Sequence, residues 1–160
     1  MNRYAVMIAA ALLTLSQTAM ADELTAEPPA AVVPLSQLQK DGNFHLLDGA
    51  PFTGTVVDTY PDGARKARFQ VVEGKADGAW AEWYPDGAIR FFSEWRGGKG
   101  EGPFVYFHPN GEISERVTAR ADIWDGVAEG WHPDGRKAFE RVYRAGTVLS
   151  DRRFSASGEE

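Results

Sequence analysis

Glycine recurs in this chain in two columns that run in step. Gly63, Gly87, Gly111 and Gly135 form one, Gly54, Gly78, Gly102 and Gly126 the other, and both advance by 24 residues. A fixed period in this range marks a repeat architecture, in which each unit buries its apolar surface mainly against its neighbours. The first column ends a turn phrase: Tyr60-Pro61-Asp62-Gly63, Tyr84-Pro85-Asp86-Gly87, His108-Pro109-Asn110-Gly111 and His132-Pro133-Asp134-Gly135. Each phrase sits between two runs of strand length, and 17 Gly, nine Phe, five Trp and five Tyr suit short strands joined by tight turns. The expectation is an all-β chain: an antiparallel β-hairpin repeat array, a single-layer twisted meander of four 24-residue units with an entry and an exit strand.

The proline decides the turn. In a two-residue loop over Asp62-Gly63, Pro61 would take the last strand position and lack the N–H that closes the ladder. Proline instead suits the first corner of a type I turn, with Asp next and a left-handed glycine closing a three-residue loop. Gly63, Gly87, Gly111 and Gly135 are therefore the predicted turn glycines. With Tyr60 opposite Ala64, odd residues face odd ones: Val57 meets Ala67, Ala81 meets Phe91, Trp83 meets Ile89 and Phe107 meets Ile113. That odd face gives the predicted core, Trp83, Ile89, Phe91, Phe107, Ile113 and Trp131. The even face pairs Asp58 with Lys66 and Glu82 with Arg90. A slip of one residue in this pairing would exchange the two faces.

Residues 1–21 read as a signal peptide: Arg3, an apolar run from Tyr4 to Leu15, and Ala19-Met20-Ala21 before the expected cleavage after Ala21. The expected location is periplasmic or secreted. Residues 22–41 read as a linker or lead-in, its start rich in Pro and acidic residues, and Ser36 to Lys40 is compatible with one helical turn. A short strand over Asn43 to Leu47, ending at Asp48-Gly49, would open the repeat domain of residues 42–154, with Val148 to Phe154 as the exit strand and residues 155–160 as a fraying tail.

The repeated Tyr-Pro-Asp-Gly, the polar and aromatic second strand, and the junctions Gly74-Lys75-Ala76-Asp77-Gly78 and Gly98-Lys99-Gly100-Glu101-Gly102 resemble the bacterial variant of the MORN repeat. The lead-in Asp48-Gly49-Ala50-Pro51-Phe52-Thr53-Gly54 is similar to the entry of such arrays, and the likeness spans residues 42 to about 148. The unit here is slightly longer than usual, and the last junction carries Ala121-Asp122-Ile123-Trp124 in place of glycine and lysine. The resemblance implies a β-hairpin array. Proteins of this kind are often described as antitoxin-like, and others act as scaffolds or sit at membranes.

No enzyme is expected. Gly97 to Gly102 lacks the following helix that a phosphate loop needs, the sequence has no Cys, and it contains neither G-x-S-x-G nor H-E-x-x-H. His108 and His132 share the Tyr60 column, about 10 Å apart across an intervening strand, with no third ligand in view, and His45 stands alone in the entry strand. The turn acids Asp62, Asp86 and Asp134 are what this turn prefers, without calcium-loop spacing. Neither a metal, a cofactor nor a catalytic residue is assigned. Without residues 1–21 the chain has 16 basic against 23 acidic residues, which disfavours nucleic acid.

The even face carries amphipathic aromatics beside its charges: Tyr60, Trp80, Tyr84, Phe104, Tyr106, His108 and His132. Such residues on a wet surface make binding patches, so they form the candidate partner-binding face. The expected function is a non-enzymatic exported module that mediates protein–protein interaction or scaffolding in the cell envelope. An antitoxin or immunity-like protein that neutralises a toxin, and a glycan-binding module, are the alternatives. Contact with a membrane surface and self-association are further expectations, the latter as one way to cover the odd face.

Overall fold

The computed structural model describes residues 31–155. The predicted signal peptide, residues 22–30 of the lead-in and residues 156–160 of the tail lie outside them. The chain runs β1 (Val32–Pro34), a 3₁₀ turn (Leu35–Gln37), β2 (Gln39–Asp41), β3 (Phe44–Leu47), β4 (Ala50–Pro51), β5 (Gly54–Thr59), β6 (Arg65–Val72), β7 (Lys75–Trp83), β8 (Ile89–Arg96), β9 (Lys99–Phe107), β10 (Ile113–Arg120), β11 (Ile123–Trp124), β12 (Gly126–Trp131), β13 (Lys137–Arg144) and β14 (Thr147–Arg153). One sheet has the order β1-β5-β6-β7-β8-β9-β10-β12-β13-β14, with β11 also on β10, while β2, β3 and β4 form a second, small sheet. From β5 onward the pairing is antiparallel between consecutive strands, the expected all-β meander.

The proline loops have the expected geometry. Tyr60, Tyr84, His108 and His132 each donate their backbone N–H to the residue four positions on, at 2.8 Å. The closing glycines bond back at 2.9 Å, with φ between 82° and 87°. The other junctions are two-residue turns with both φ positive: Glu73-Gly74, Gly97-Gly98, Ala121-Asp122 and Ala145-Gly146. This is the type I′ pattern, whose twist matches that of the flanking strands. Ala121 and Asp122, at φ 50° and 70°, hold it without glycine.

The odd-with-odd register holds only for the first pair beyond each loop: Thr59–Arg65, Trp83–Ile89, Phe107–Ile113 and Trp131–Lys137. Trp83 does face Ile89, but Glu82 then faces Phe91 and Ala81 faces Phe92. Asp58 likewise faces Ala67 and Val57 faces Arg68, in place of the predicted Val57–Ala67 pair. Every hairpin has this bulge just after its loop, with one extra residue on the second strand: Lys66, Arg90, Ser114 or Ala138. Beyond the bulge the parity of the second strand is reversed. Phe91 therefore belongs to the face opposite Trp83, and Phe92 takes the position predicted for it. The ion pairs survive because the bulged cation still reaches its acid: Lys66 Nζ is 2.7 Å from Asp58, and Arg90 pairs with Glu82.

Both faces of the sheet carry buried clusters. Ala81, Trp83, Ile89, Phe92, Val105 and Phe107 fill one side, with Ile113 partly buried against them. On the other side lie Phe52, Val56, Phe69 and Val71, then Phe104, Val117, Ala119 and Ala128. Trp131 is half-buried outside these clusters, beneath the Arg116 guanidinium. The lead-in is part of the domain: Val32, Val33 and Pro34 pair in parallel with Thr55, Val56 and Val57, and Ala31, Val33, Leu35 and Leu38 pack on the Phe52 cluster. Apolar residues at 31, 33, 35 and 38 gave that signal, which the neighbouring prolines obscured.

Candidate interaction surface

The predicted face divides into three kinds of residue. The Tyr60 column forms a ladder along the array: Tyr60 Oη donates to the Trp83 carbonyl and Tyr84 Oη to the Phe107 carbonyl, both at 2.8 Å. His108 Nε2 is 2.8 Å from the Trp131 carbonyl and, as the Nε2–H tautomer, makes the same bond. Each ring ties a loop to the end of the next unit's first strand. His132 occupies the same place in the last unit, and its Nε2 is buried without a partner. The reason lies in β14. In the earlier junctions the following strand gains two residues across its glycine, as between the pairs Phe69–Trp80 and Val71–Ala76. Gly78, at φ 105°, accommodates this. Ser150 stands in that column, and β14 gains only one residue, between Val142–Ser150 and Tyr143–Val148. The last strand is thus one residue out of step beside His132.

Trp80 and Phe104 are packing residues. Trp80 stacks on Phe69 with ring centroids 3.9 Å apart and planes at 8°, and tilts against Trp95 at 5.8 Å. Phe104 meets Trp95 and Phe91, and Trp124 edge-on at 5.0 Å. An aromatic spine therefore runs across the units along this face.

Tyr106 is the predicted partner-face residue that stays exposed, at 38%. It is one member of a row of directly opposed residues crossing the sheet: Glu82 faces Phe91, Phe91 faces Tyr106, and Tyr106 faces Glu115. The Phe91 and Tyr106 rings are 4.7 Å apart. Opposed residues share a face. Burial pushes the Tyr106 hydroxyl above its ordinary pKa, with Glu115 and Glu82 adding to the effect. Burial also raises the Glu115 carboxyl, against the field of Arg141.

The remaining polar columns serve the repeat. Asp62, Asp86, Asn110 and Asp134 each accept from the backbone N–H two residues on, at 2.9 to 3.2 Å, the Asx turn that fixes the loop. Asp134 is further held at a pKa of about 2 by hydrogen bonds from Arg136. A column not singled out from the sequence, Thr53, Asp77, Glu101 and Asp125, caps the other end, each accepting from the N–H twenty residues on. Its recurrence beside each bulge glycine was the available signal. On the Trp83 side, burial opposes the charge of Glu129, but hydrogen bonds from Lys137 and Arg116, at 2.7 and 2.8 Å, keep its pKa below the usual range. His45 is buried against Phe69, its Nδ1 3.4 Å from the Gly74 carbonyl.

The chain matches no protein-family model, no curated protein and no solved structure.

Proposed function

We propose that this chain is an exported, non-enzymatic β-repeat module of the kind its MORN-like phrases suggest, and that it presents a stiff sheet to a protein partner in the cell envelope. The observation that carries the reading is the allocation of side chains. Tyr60, Tyr84 and His108, the turn residues Asp62, Asp86, Asn110 and Asp134, and the Thr53 column hydrogen-bond within the array. Those groups are thereby committed to holding the units in register. Tyr106 is exposed beside Phe91, on a row flanked on the same face by the aromatic spine. Exposed aromatics on a rigid support lose little entropy when they bind, which suits recognition.

The test is capture from envelope extract on the immobilised full chain, followed by binding measurements with the purified captured protein. Tyr106→Ala should weaken that binding at least tenfold while leaving the fold intact. Retention of peptidoglycan, with no captured protein sensitive to Tyr106, would replace this reading with the glycan-binding one.

A further inference from the structure

The units repeat one charge arrangement and then break it. In the first two, the acid that precedes the loop pairs with the bulged cation that follows it: Asp58 with Lys66, Glu82 with Arg90. In the third, Tyr106 takes the acid's place and Ser114 the cation's, while a carboxylate appears at Glu115, across from Tyr106. Glu115 is half-buried. Among the described residues, no basic side chain forms an ion pair with it. Arg141, which acts on it through space, donates instead to Tyr143 Oη at 3.1 Å and to Asp151 at 2.8 Å. A partly desolvated carboxylate without a counter-ion is costly, and that cost is relieved when a cation arrives.

We infer that Phe91, Tyr106 and Glu115 form a receptor site for a cationic side chain, foremost arginine, carried by a polypeptide segment of the partner. A guanidinium laid over the Tyr106 ring places its fork toward the carboxylate directly across the strand pair, so that one group meets both a π face and an anion. Lysine fits as a point charge with weaker stacking. Phe91, 4.7 Å from Tyr106, offers apolar cover for the arginine stem. Glu82, at the other end of the row, is already held by Arg90 and by Trp80 Nε1 at 3.1 Å, so the added cation belongs at the Glu115 end. Charge complementarity selects the partner's chemistry here: the full chain carries a net charge of −6, and this carboxylate stands unpaired beside exposed aromatic surface.

This inference rests on the protein-interaction reading and adds the chemistry of the contact. Its test is selection of phage-displayed random 12-residue peptides against the immobilised full chain, with affinities of the synthetic peptides then measured against variants. The expected result is enrichment of arginine, affinity about tenfold or more weaker for Glu115→Gln, and affinity several-fold weaker for Tyr106→Leu, which keeps the apolar bulk. Replacing the peptide arginine by citrulline should abolish the sensitivity to Glu115→Gln. Peptides that bind without basic residues, or that bind Glu115→Gln as well as the parent chain, overturn the cationic site and leave the interaction reading standing. Failure to obtain any binding peptide overturns both. Circular dichroism and thermal melting of Glu115→Gln establish that its fold is retained.

Discussion

The Tyr84 hydroxyl donates a 2.8 Å hydrogen bond to the carbonyl of Phe107, one unit further along the array. The bond is part-buried, and its loss leaves a strand-end carbonyl short of a partner. Tyr84→Phe, which removes only the oxygen, is expected to lower stability by about 1 to 2 kcal/mol in urea unfolding. Tyr60→Phe should behave alike, since Tyr60 makes the same bond to Trp83. A change within about 0.3 kcal/mol for both would mean the ladder does not hold the units together.

Phe91 and Phe92 separate the two possible registers. Phe92 is 2% exposed among Ala81, Trp83 and Val105, whereas Phe91 is half-buried on the aromatic face. Phe92→Ala should cost about 3 to 5 kcal/mol by lost transfer energy and cavity formation, as should Trp83→Ala. Phe91→Ala should cost less, on the order of 1 to 2 kcal/mol. The reverse order in chemical denaturation would place the bulge elsewhere.

The junction at Ala121 stores strain. Its φ of 50° is left-handed, a conformation that costs a residue with a Cβ about 1 to 2 kcal/mol. Glycine removes that cost, partly offset by its greater freedom in the unfolded chain. Ala121→Gly is expected to gain about 0.5 to 1 kcal/mol and to raise the melting temperature by a few degrees in calorimetry.

His45 makes stability depend on pH. Burial lowers its pKa from 6.5, the Gly74 carbonyl works in the opposite direction, and Lys40 lowers it further. The unfolded chain therefore binds a proton more readily than the folded one. Stability should fall as pH drops below about 6.5 and level off beneath the depressed folded value. In urea titrations between pH 7.5 and 5.5, His45→Gln should show less of this fall than the parent chain. Equal slopes would remove His45 from the account.

Legibility followed the range of the interactions. The proline loops, their left-handed glycines and the pairing of Asp58 with Lys66 and Glu82 with Arg90 depend on residues within one hairpin, and the sequence carries them openly. The bulge at Lys66, Arg90, Ser114 and Ala138 is also local, yet the pattern hid it. Phe91 and Phe92 are adjacent and equally apolar, so hydrophobicity does not say which faces Trp83. The candidate surface suffered most, because an aromatic column reads the same whether its polar atoms meet water, a partner or the next unit.

What the sequence alone determined is the unit: a 24-residue hairpin, its loop, and its stacking into an antiparallel meander, since glycine, proline and alternating apolar residues constrain the backbone locally. What only the tertiary structure decided is the destination of each side chain. One extra residue per hairpin reverses the pleat, turning Phe92 to the buried side and bringing Phe91 beside Tyr106. Bonds spanning 23 residues commit Tyr60, Tyr84 and His108 to the array. Such placements depend on where the neighbouring unit's backbone lies, and that is fixed only once the strands have paired.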